Sequence, residues 1–388
     1  MKKLIGSCGL LAGTCVGAAT IALPVATANI GFLGSLIVFI ISWIIMAITG
    51  CLTLEAVSYL PKNTSFIKLT EHTFGNKASS IILVCYGCLL YSLLAAYLTG
   101  GGDILDDWLS TSLSGATLWY ILGLIIMTLG LKHIDRLNRL FLCALILSFI
   151  AMSLWSINHI HIDRLSAFSL SSNKSILVIL TAFGYQVIIP SLRNYANSNY
   201  KIVYKSIVFG SIIPLIIYII WSVCVFGTIP LTGSNGLINL QQTGKIVHFL
   251  PIWMANGVSY NILSLSIKFF IFFAIATSFL GISISLYDFI KDLLPKIKNN
   301  ISRQSHVLLV FLVLTPPLIY THIWPNGFIK ALSYAGALVL LLNIILPICL
   351  VLKLRKNHTP PLNHFRANVK TSVLWVFLIL SLCLFLIL

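Results

Sequence analysis

The sequence predicts an all-α polytopic membrane protein, built from two inverted repeats of five transmembrane helices and an eleventh helix. Of its 388 residues, 58% are hydrophobic and only 9% are charged, a composition that no soluble globular domain has. Eleven apolar runs are comparable in length with a bilayer core of about 30 Å. Two of these runs contain Gly and Pro in their interiors. Because Gly costs about 1 kcal/mol and Pro about 3 kcal/mol there, the two interruptions indicate a functional site.

The eleven runs follow one another along the chain with short polar connections. They cover residues 4–29, 33–59, 79–101, 116–131, 140–157, 175–192, 204–227, 260–287, 305–321, 328–352 and 372–388. The fourth, fifth and ninth are short for a complete crossing. Pairing runs 1–5 with runs 6–10 gives repeats over residues 4–157 and 175–352, with the run over residues 372–388 as an addition. Since five is odd, the second repeat crosses the membrane in the opposite sense.

Runs 1 and 6 carry the interruptions. The residues concerned are Gly13, Thr14, Cys15, Gly17 and Ala18, followed by Pro24, and Phe183, Gly184, Tyr185 and Gln186, followed by Pro190. Unwound backbone at bilayer depth is tolerated only inside protein or beside a cavity, since lipid cannot hydrogen-bond its N–H and C=O groups. Matching interruptions in two halves are typical of secondary transporters with a substrate near the midplane. The alternative is that these Gly and Pro residues only pack or kink their helices.

Each group of a zwitterionic amino acid would find a host in this pattern. Free N–H groups between Gly13 and Gly17, with the positive end of the following half-helix, would bind a carboxylate. Carbonyls freed near Phe183 and Gly184 would accept hydrogen bonds from an ammonium. Tyr91, Phe183 and Tyr185 would form an aromatic wall, and Gln186 would hydrogen-bond a phenol or an indole; alternatively these rings face lipid or pack in the core.

Run 8 contains the residues predicted to couple transport to an ion gradient. Lys268 lies inside an apolar run, where a lysine is costly and indicates a function. Burial can lower the pKa of a lysine by several units, which would let Lys268 exchange protons, although its long side chain could instead extend to the membrane surface. Thr277 and Ser278 are hydroxyls that could complete a sodium site, or could bond to their own helix. Glu55, close to the end of run 2, is interpreted as a gate or a loop anchor.

The formal net charge of +16 reports topology rather than nucleic-acid binding. With the N-terminus inside, 20 of the 25 basic residues fall in cytoplasmic segments, and only Arg164, Lys174 and Lys245 fall in outer loops. This distribution follows the positive-inside rule and places the C-terminus outside. The Ala26-Thr27-Ala28 stretch after an N-terminal lysine pair also resembles a signal-peptide cleavage site, but Pro24 and the Gly pattern favour a broken first helix.

Several other features predict neither an enzyme nor a metal protein. The nine cysteines lie mostly within runs, where they act as small apolar fillers, so no disulfide framework is expected. Asp103, Asp106 and Asp107 are similar to the Asp-rich motif of membrane prenyltransferases, but those enzymes need two such motifs on the cytoplasmic side. His159 and His161 lack a third ligand. The outer loop over residues 228–259 contains apolar and aromatic residues, which predicts a folded lid.

Six motifs in order carry a resemblance to a known family. They are Ala12-Gly-Thr-Cys-Val-Gly17 with Ala22-Leu-Pro24; Leu54-Glu55; Tyr91 with Ala95-Ala-Tyr97; Phe183-Gly184 with Pro190-Ser191; Ala276-Thr-Ser-Phe-Leu-Gly281 with Tyr287-Asp288; and Pro325-Asn-Gly-Phe328 with Tyr334-Ala-Gly336. With these motifs the chain resembles, nearly end to end, the bacterial hydroxy and aromatic amino acid permeases, in particular the group of tyrosine-specific transport proteins and tryptophan permeases.

The resemblance implies a leucine-transporter-type fold and proton-coupled uptake of an aromatic amino acid, with tyrosine favoured, across the bacterial inner membrane. It implies no cofactor beyond the proton gradient, and membrane lipid rather than nucleic acid as surroundings. A sodium-coupled transporter, or one for a small aliphatic amino acid, is the alternative. The chain departs from the family pattern at Ala19, where a Gly is usual, and at Tyr185 and Gln186, where Phe and His are usual. These departures leave the preferred aromatic side chain open.

Overall fold

The computed structural model describes residues 2–61, 66–109, 113–129, 131–169, 175–255, 262–294, 303–357 and 365–387. In these ranges the chain forms helices and no strands. Eight of the helices found there are long and apolar enough to cross a membrane. Lys174 of the predicted outer loops lies outside the described residues, as do residues 130, 260, 261 and 388 of the predicted runs.

The helices are numbered in chain order. They are α1 (Lys2–Cys15), α2 (Ala18–Ala26), α3 (Gly31–Ser58), α4 (Phe66–Phe74), α5 (Asn76–Trp108), α6 (Gly115–Thr128), α7 (Leu131–Ser156), α8 (Ser175–Ala182), α9 (Ile189–Tyr195), α10 (Tyr200–Thr228), α11 (Leu237–Thr243), α12 (Ile246–Met254), α13 (Ile262–Leu293), α14 (Arg303–Ile323), α15 (Phe328–Val339), α16 (Leu346–Asn357) and α17 (Thr371–Ile387). A π-helical segment, Leu340–Ile345, joins α15 to α16.

A helix lies at each of the eleven predicted runs. Run 1 is divided into α1 and α2, run 6 into α8 and α9, and run 10 contains the π-helical segment. The fourth run corresponds to α6, whose 14 residues are short for a complete crossing, since a helix rises about 1.5 Å per residue. The outer loop predicted to fold does contain two short helices, α11 and α12.

The packing brings the two interrupted helices to the middle of the bundle. Helix α1 lies along α10, α2 contacts α8, α10 and α13, and α15 packs against α5 and α8. Helix α13 packs along α7 and α5. Helices α1, α2, α5 and α13 carry predicted binding or coupling residues, and α2 contacts both α8 and α13.

Candidate functional site

The first break separates α1 from α2. Helix α1 ends at Cys15 and α2 begins at Ala18. Gly17 between them has φ −167° and ψ −154°, an extended conformation open to any residue. It is space that requires glycine here, because a Cβ at Gly17 would lie 2.2 Å from Ser278 Oγ. The first break therefore fits closely against α13.

Of the two hydroxyls predicted to act together, Ser278 faces the first break. The Ala18 N–H donates a hydrogen bond of 3.0 Å to Ser278 Oγ. Thr277 Oγ1 instead donates to the Phe273 carbonyl of its own helix, at 2.8 Å. Thus Ser278 is a contact between α13 and the start of α2, whereas the hydroxyl proton of Thr277 is used within α13.

The second break follows α8, which ends at Ala182. Phe183, Gly184 and Tyr185 are not helical, and a 3₁₀ turn, Gln186–Ile188, leads into α9. The Gly184 N–H donates to the Thr181 carbonyl at 3.2 Å, a tightened final turn. A side chain at Gly184 would point towards the segment after α15, since its Cβ would lie 3.4 Å from Asn343 Nδ2.

Tyr218 of α10 joins the two breaks. Its hydroxyl lies 2.7 Å from the Cys15 carbonyl oxygen and 2.6 Å from the Ala182 carbonyl oxygen, the last residues of α1 and α8. A phenol has one proton to donate, so a single O–H serves two carbonyl acceptors. Tyr218 is fully buried, and the Phe183 ring packs edge-on against it at 5.0 Å. The site thus holds two helix-end carbonyls that need one more donor.

Tyr185 and Gln186 are buried against α3. The Tyr185 hydroxyl donates to the Met46 carbonyl at 3.0 Å, and Gln186 Nε2 lies 3.0 Å from Thr49 Oγ1. Gln186 Oε1 accepts from the Tyr185 N–H at 3.1 Å. These bonds fix the second break to α3, and they engage the polar atoms that were predicted to contact a substrate side chain.

Two other predicted side chains bond to backbone carbonyls. The Tyr91 hydroxyl donates to the Leu312 carbonyl of α14 at 2.9 Å. Thr14 Oγ1 donates to the Leu11 carbonyl of its own helix at 2.7 Å. Gly13 is exposed, with no described heavy atom within 4 Å of its Cβ position.

Lys268 forms an ion pair at the end of the bundle where α5 finishes. Its Nζ lies 2.8 Å from Asp107 Oδ2, and the other carboxylate oxygen lies 2.8 Å from His248 Nδ1 of α12. Asp107 is therefore shared by α13 and by a short helix of the loop predicted to be a lid. Its neighbour Asp106 accepts from the Gly115 N–H at 2.6 Å. The Asp-rich stretch thus makes structural contacts, and the described residues contain no group of three or more His, Cys, Asp or Glu side chains that could hold a metal ion.

Glu55 anchors the opposite end of the bundle. Its carboxylate is fully buried and receives bidentate bonds of 2.7 and 2.8 Å from Arg355. The Ala367 N–H adds a third bond of 2.8 Å, and Arg355 also donates to the Val369 carbonyl at 2.8 Å. The segment before α17 is thereby attached to α3 and α16, which supports the loop-anchor interpretation of Glu55.

Sequence reasoning missed two residues of this region, Tyr218 and Asn343. Tyr218 is one of 14 tyrosines, and its position in an apolar run gives no signal of its own. Asn343 could have been noticed, because a polar amide within an apolar run is costly unless it is bonded or functional.

Known proteins similar to this chain are amino acid carriers. Residues 1–388 match the model of a family described as the tryptophan/tyrosine permease family. The chain is 32% identical over 365 residues to tyrosine-specific transport system 1 of Haemophilus influenzae, covering 92% of this chain and 90% of that protein. It is 30% identical over 364 residues to the low affinity tryptophan permease of Escherichia coli K12, covering 89% and 86% of the two chains. A tryptophan-specific transport protein of H. influenzae is 28% identical over 365 residues, covering 89% of this chain and 86% of that protein.

Proposed function

This chain belongs to the tryptophan/tyrosine permease family, and we propose that it imports an aromatic amino acid, tyrosine in the first place, by proton symport through alternating access. It is a multi-pass membrane protein and a transport protein rather than an enzyme. The positive-inside distribution favours a cytoplasmic N-terminus and an outer C-terminus in the bacterial inner membrane.

One observation carries the proposal. The Tyr218 hydroxyl lies between the Cys15 and Ala182 carbonyl oxygens, which end the first halves of both interrupted helices. One phenol proton leaves the second carbonyl without a full hydrogen bond from the described residues, in a buried site where an unmet hydrogen bond is costly. The α-ammonium of an amino acid carries three donors and a positive charge, and it would satisfy this pair.

The carboxylate has a host on the other side of the first break. Helix α2 begins at Ala18 after Gly17, and its N-terminus presents backbone N–H groups and the positive end of its dipole. The Ala18 N–H donates to Ser278 Oγ and the Gly17 N–H to Thr20 Oγ1, so the Ala19 N–H is the expected partner. We propose Gly13, Thr14, Cys15, Gly17, Ala18 and Gly184 for the backbone of the substrate, Tyr91, Tyr185 and Gln186 for its side chain, and Phe183 for both.

For the architecture we propose the leucine-transporter-type arrangement of five plus five helices. The breaks of α1/α2 and α8/α9 stand first in the two sets of runs, over residues 4–157 and 175–352. Carbonyls from both breaks contact one hydroxyl, which supports a site between the two proposed repeats. Helix α17 is then the additional eleventh crossing.

For coupling we propose Lys268 together with Asp107. Their ion pair joins α13 to α5, and proton transfer between its members would release these elements from each other. The alternative is sodium, because Ser278 lies directly against the first break and Thr277 is adjacent. A sodium ion there would take hydroxyl and carbonyl oxygens as ligands, which requires the Ala18–Ser278 hydrogen bond to rearrange.

Uptake by proteoliposomes tests the function. Purified protein should accumulate labelled tyrosine under an inward proton gradient at equal sodium on both sides, and a sodium gradient at equal pH should give no accumulation. Unlabelled tyrosine, tryptophan and phenylalanine are then compared as competitors, with alanine as the small aliphatic control. Accumulation driven by sodium alone would reassign the coupling to Thr277 and Ser278. Competition by alanine equal to that by tyrosine would contradict the aromatic substrate.

A further inference from the structure

Asn343 is a buried amide with an open acceptor. It belongs to the π-helical segment Leu340–Ile345, has 1% of its surface exposed, and its Oδ1 has no hydrogen-bond partner in the part of the chain that the structure describes. Buried carbonyl oxygens are normally paired, so each exception needs an explanation. Single π-helical turns inside α-helices occur frequently at functional sites.

The amide lies against the second break. A Cβ on Gly184 would be 3.4 Å from Asn343 Nδ2 and 3.6 Å from Val339 Cγ2. Nearby polar side chains are occupied: Thr181 Oγ1 donates to the Leu177 and Leu332 carbonyls, and Gln186 bonds at both ends of its amide. The amide nitrogen of Asn343 is thus the atom nearest this break, and the unpartnered oxygen lies beside it on the same planar amide.

We propose that Asn343 is a specificity-determining residue of the amino acid site, whose Oδ1 accepts a hydrogen bond from the ring hydroxyl of tyrosine or the ring N–H of tryptophan. The inference rests on the proposed function. In the proposed site the ammonium lies between the Cys15 and Ala182 carbonyls. Gly184 is two residues after Ala182, so their Cα atoms are at most about 7 Å apart. Asn343 beside Gly184 is thus within reach of the polar group at the far end of the substrate's side chain. Phenylalanine has no donor there.

The open acceptor of Asn343 would favour substrates that carry a donor on the ring. An acceptor that is empty without substrate gains its partner only when a ring donor arrives, so the hydrogen bond contributes to selectivity rather than to the unliganded fold. A site built to bond a polar group discriminates strongly against an analogue that lacks it. The π-helical segment, next to Gly184, supplies the amide from α15 and α16 rather than from the interrupted helices themselves.

The test compares wild type with Asn343→Leu, which keeps the approximate volume and removes the acceptor. Leu341→Ala is the matched control, since it alters packing in the same π-helical segment without changing the amide. Competition against labelled tyrosine uptake and ligand-induced thermal stabilisation in detergent are measured for tyrosine, tryptophan and phenylalanine. In Asn343→Leu we expect the apparent affinity for tyrosine and tryptophan to fall about tenfold, the value of one net hydrogen bond. Phenylalanine should be unaffected, and Leu341→Ala should leave the order of the three substrates unchanged.

An equal loss for all three amino acids in Asn343→Leu would assign Asn343 to positioning the break and overturn the proposal. If that variant is not recovered folded, Asn343→Ala is used in the same comparison and judged by the ratio of affinities. Failure of wild type to transport or bind any of the three would overturn the proposed function, and this inference with it.

Discussion

Gly17 shows that a glycine in this site is required by a contact rather than by backbone angles. Its extended φ and ψ suit any residue, but Ser278 Oγ occupies the position of a Cβ at 2.2 Å. Once that Oγ is removed, the nearest neighbour is Ser278 Cβ at 3.5 Å, an ordinary contact distance. The restriction at residue 17 therefore comes from one oxygen atom.

Gly17→Ala is expected to abolish uptake, and Gly17→Ala combined with Ser278→Ala to recover part of it. Because the two residues touch, their effects should be strongly non-additive, with a coupling of about 0.5–3 kcal/mol in a double-mutant cycle. Unfolding free energies and initial uptake rates provide the measurements. Gly9→Ala serves as the control, since its Cβ would meet no described atom within 4 Å. Additive effects of the two substitutions would show that the steric account is wrong.

Tyr218→Phe removes the hydroxyl between the two helix ends. The unliganded protein should lose about 1–3 kcal/mol of stability, because the Cys15 and Ala182 carbonyls are then left without a donor. Bound substrate should restore part of this loss, so ligand-induced thermal stabilisation should exceed that of wild type. Tyr204→Phe in the same helix, where the ring is 44% exposed, should change neither quantity. A smaller ligand-induced shift in Tyr218→Phe would count against the ammonium position.

The positions of the helices could be predicted from the sequence, whereas most of the contacts between them could not. Apolar length located each run, and Gly with Pro located both breaks, because these signals are local. The direction of a side chain from a break is set by packing, and Gln186 shows the consequence. Its position beside the break predicts a contact with the substrate's side chain, and only the fold adds that its amide hydrogen-bonds Thr49 of α3. Tyr218 illustrates the same limit, since only the tertiary fold brings it to two helix ends.

The buried ion pair that attaches α16 to α3 should contribute strongly to stability. Arg355→Met leaves the Glu55 carboxylate, which is fully buried, with only the Ala367 N–H among its described partners. Removing one member of a buried pair costs about 3–5 kcal/mol. Thermal unfolding in detergent is the measurement, with exposed Lys356→Met as the control, expected within about 0.5 kcal/mol of wild type. Equal stability of Arg355→Met and Lys356→Met would contradict the anchoring role.

For the molecule as a whole, the ion pair of Lys268 and Asp107 connects two helices that the proposed alternating access would separate. It joins α13 to α5, and His248 of α12 shares the same carboxylate. A coupling ion would open or close such contacts only if it bound one conformation more tightly than the other. This is because a ligand shifts a conformational equilibrium only by its different affinity for the two states.

Lys268→Met should retain binding and exchange of tyrosine but lose accumulation driven by a proton gradient. The substitution leaves the two half-helix carbonyls intact, while it removes the amine and frees Asp107 from α13. Counterflow and gradient-driven uptake in proteoliposomes separate the two activities. Lys330→Met, at an exposed position of α15, is the matched control. Accumulation by Lys268→Met equal to wild type would place the proton carrier elsewhere.

The contact between Gly336 and α8 has a mechanical consequence. A Cβ at Gly336 would lie 2.0 Å from the Leu177 carbonyl oxygen, so the backbones of α15 and α8 touch without an intervening side chain. At Gly336 there is no room for a side chain between the two helices. The Thr181 hydroxyl of α8 adds a hydrogen bond to the Leu332 carbonyl of α15. We therefore expect α8 and α15 to move together, so that a tilt of α8 during transport would carry α15 and Asn343 with it. Spin labels placed on the two helices should therefore keep a constant separation through the cycle, while their distances to α7 change together.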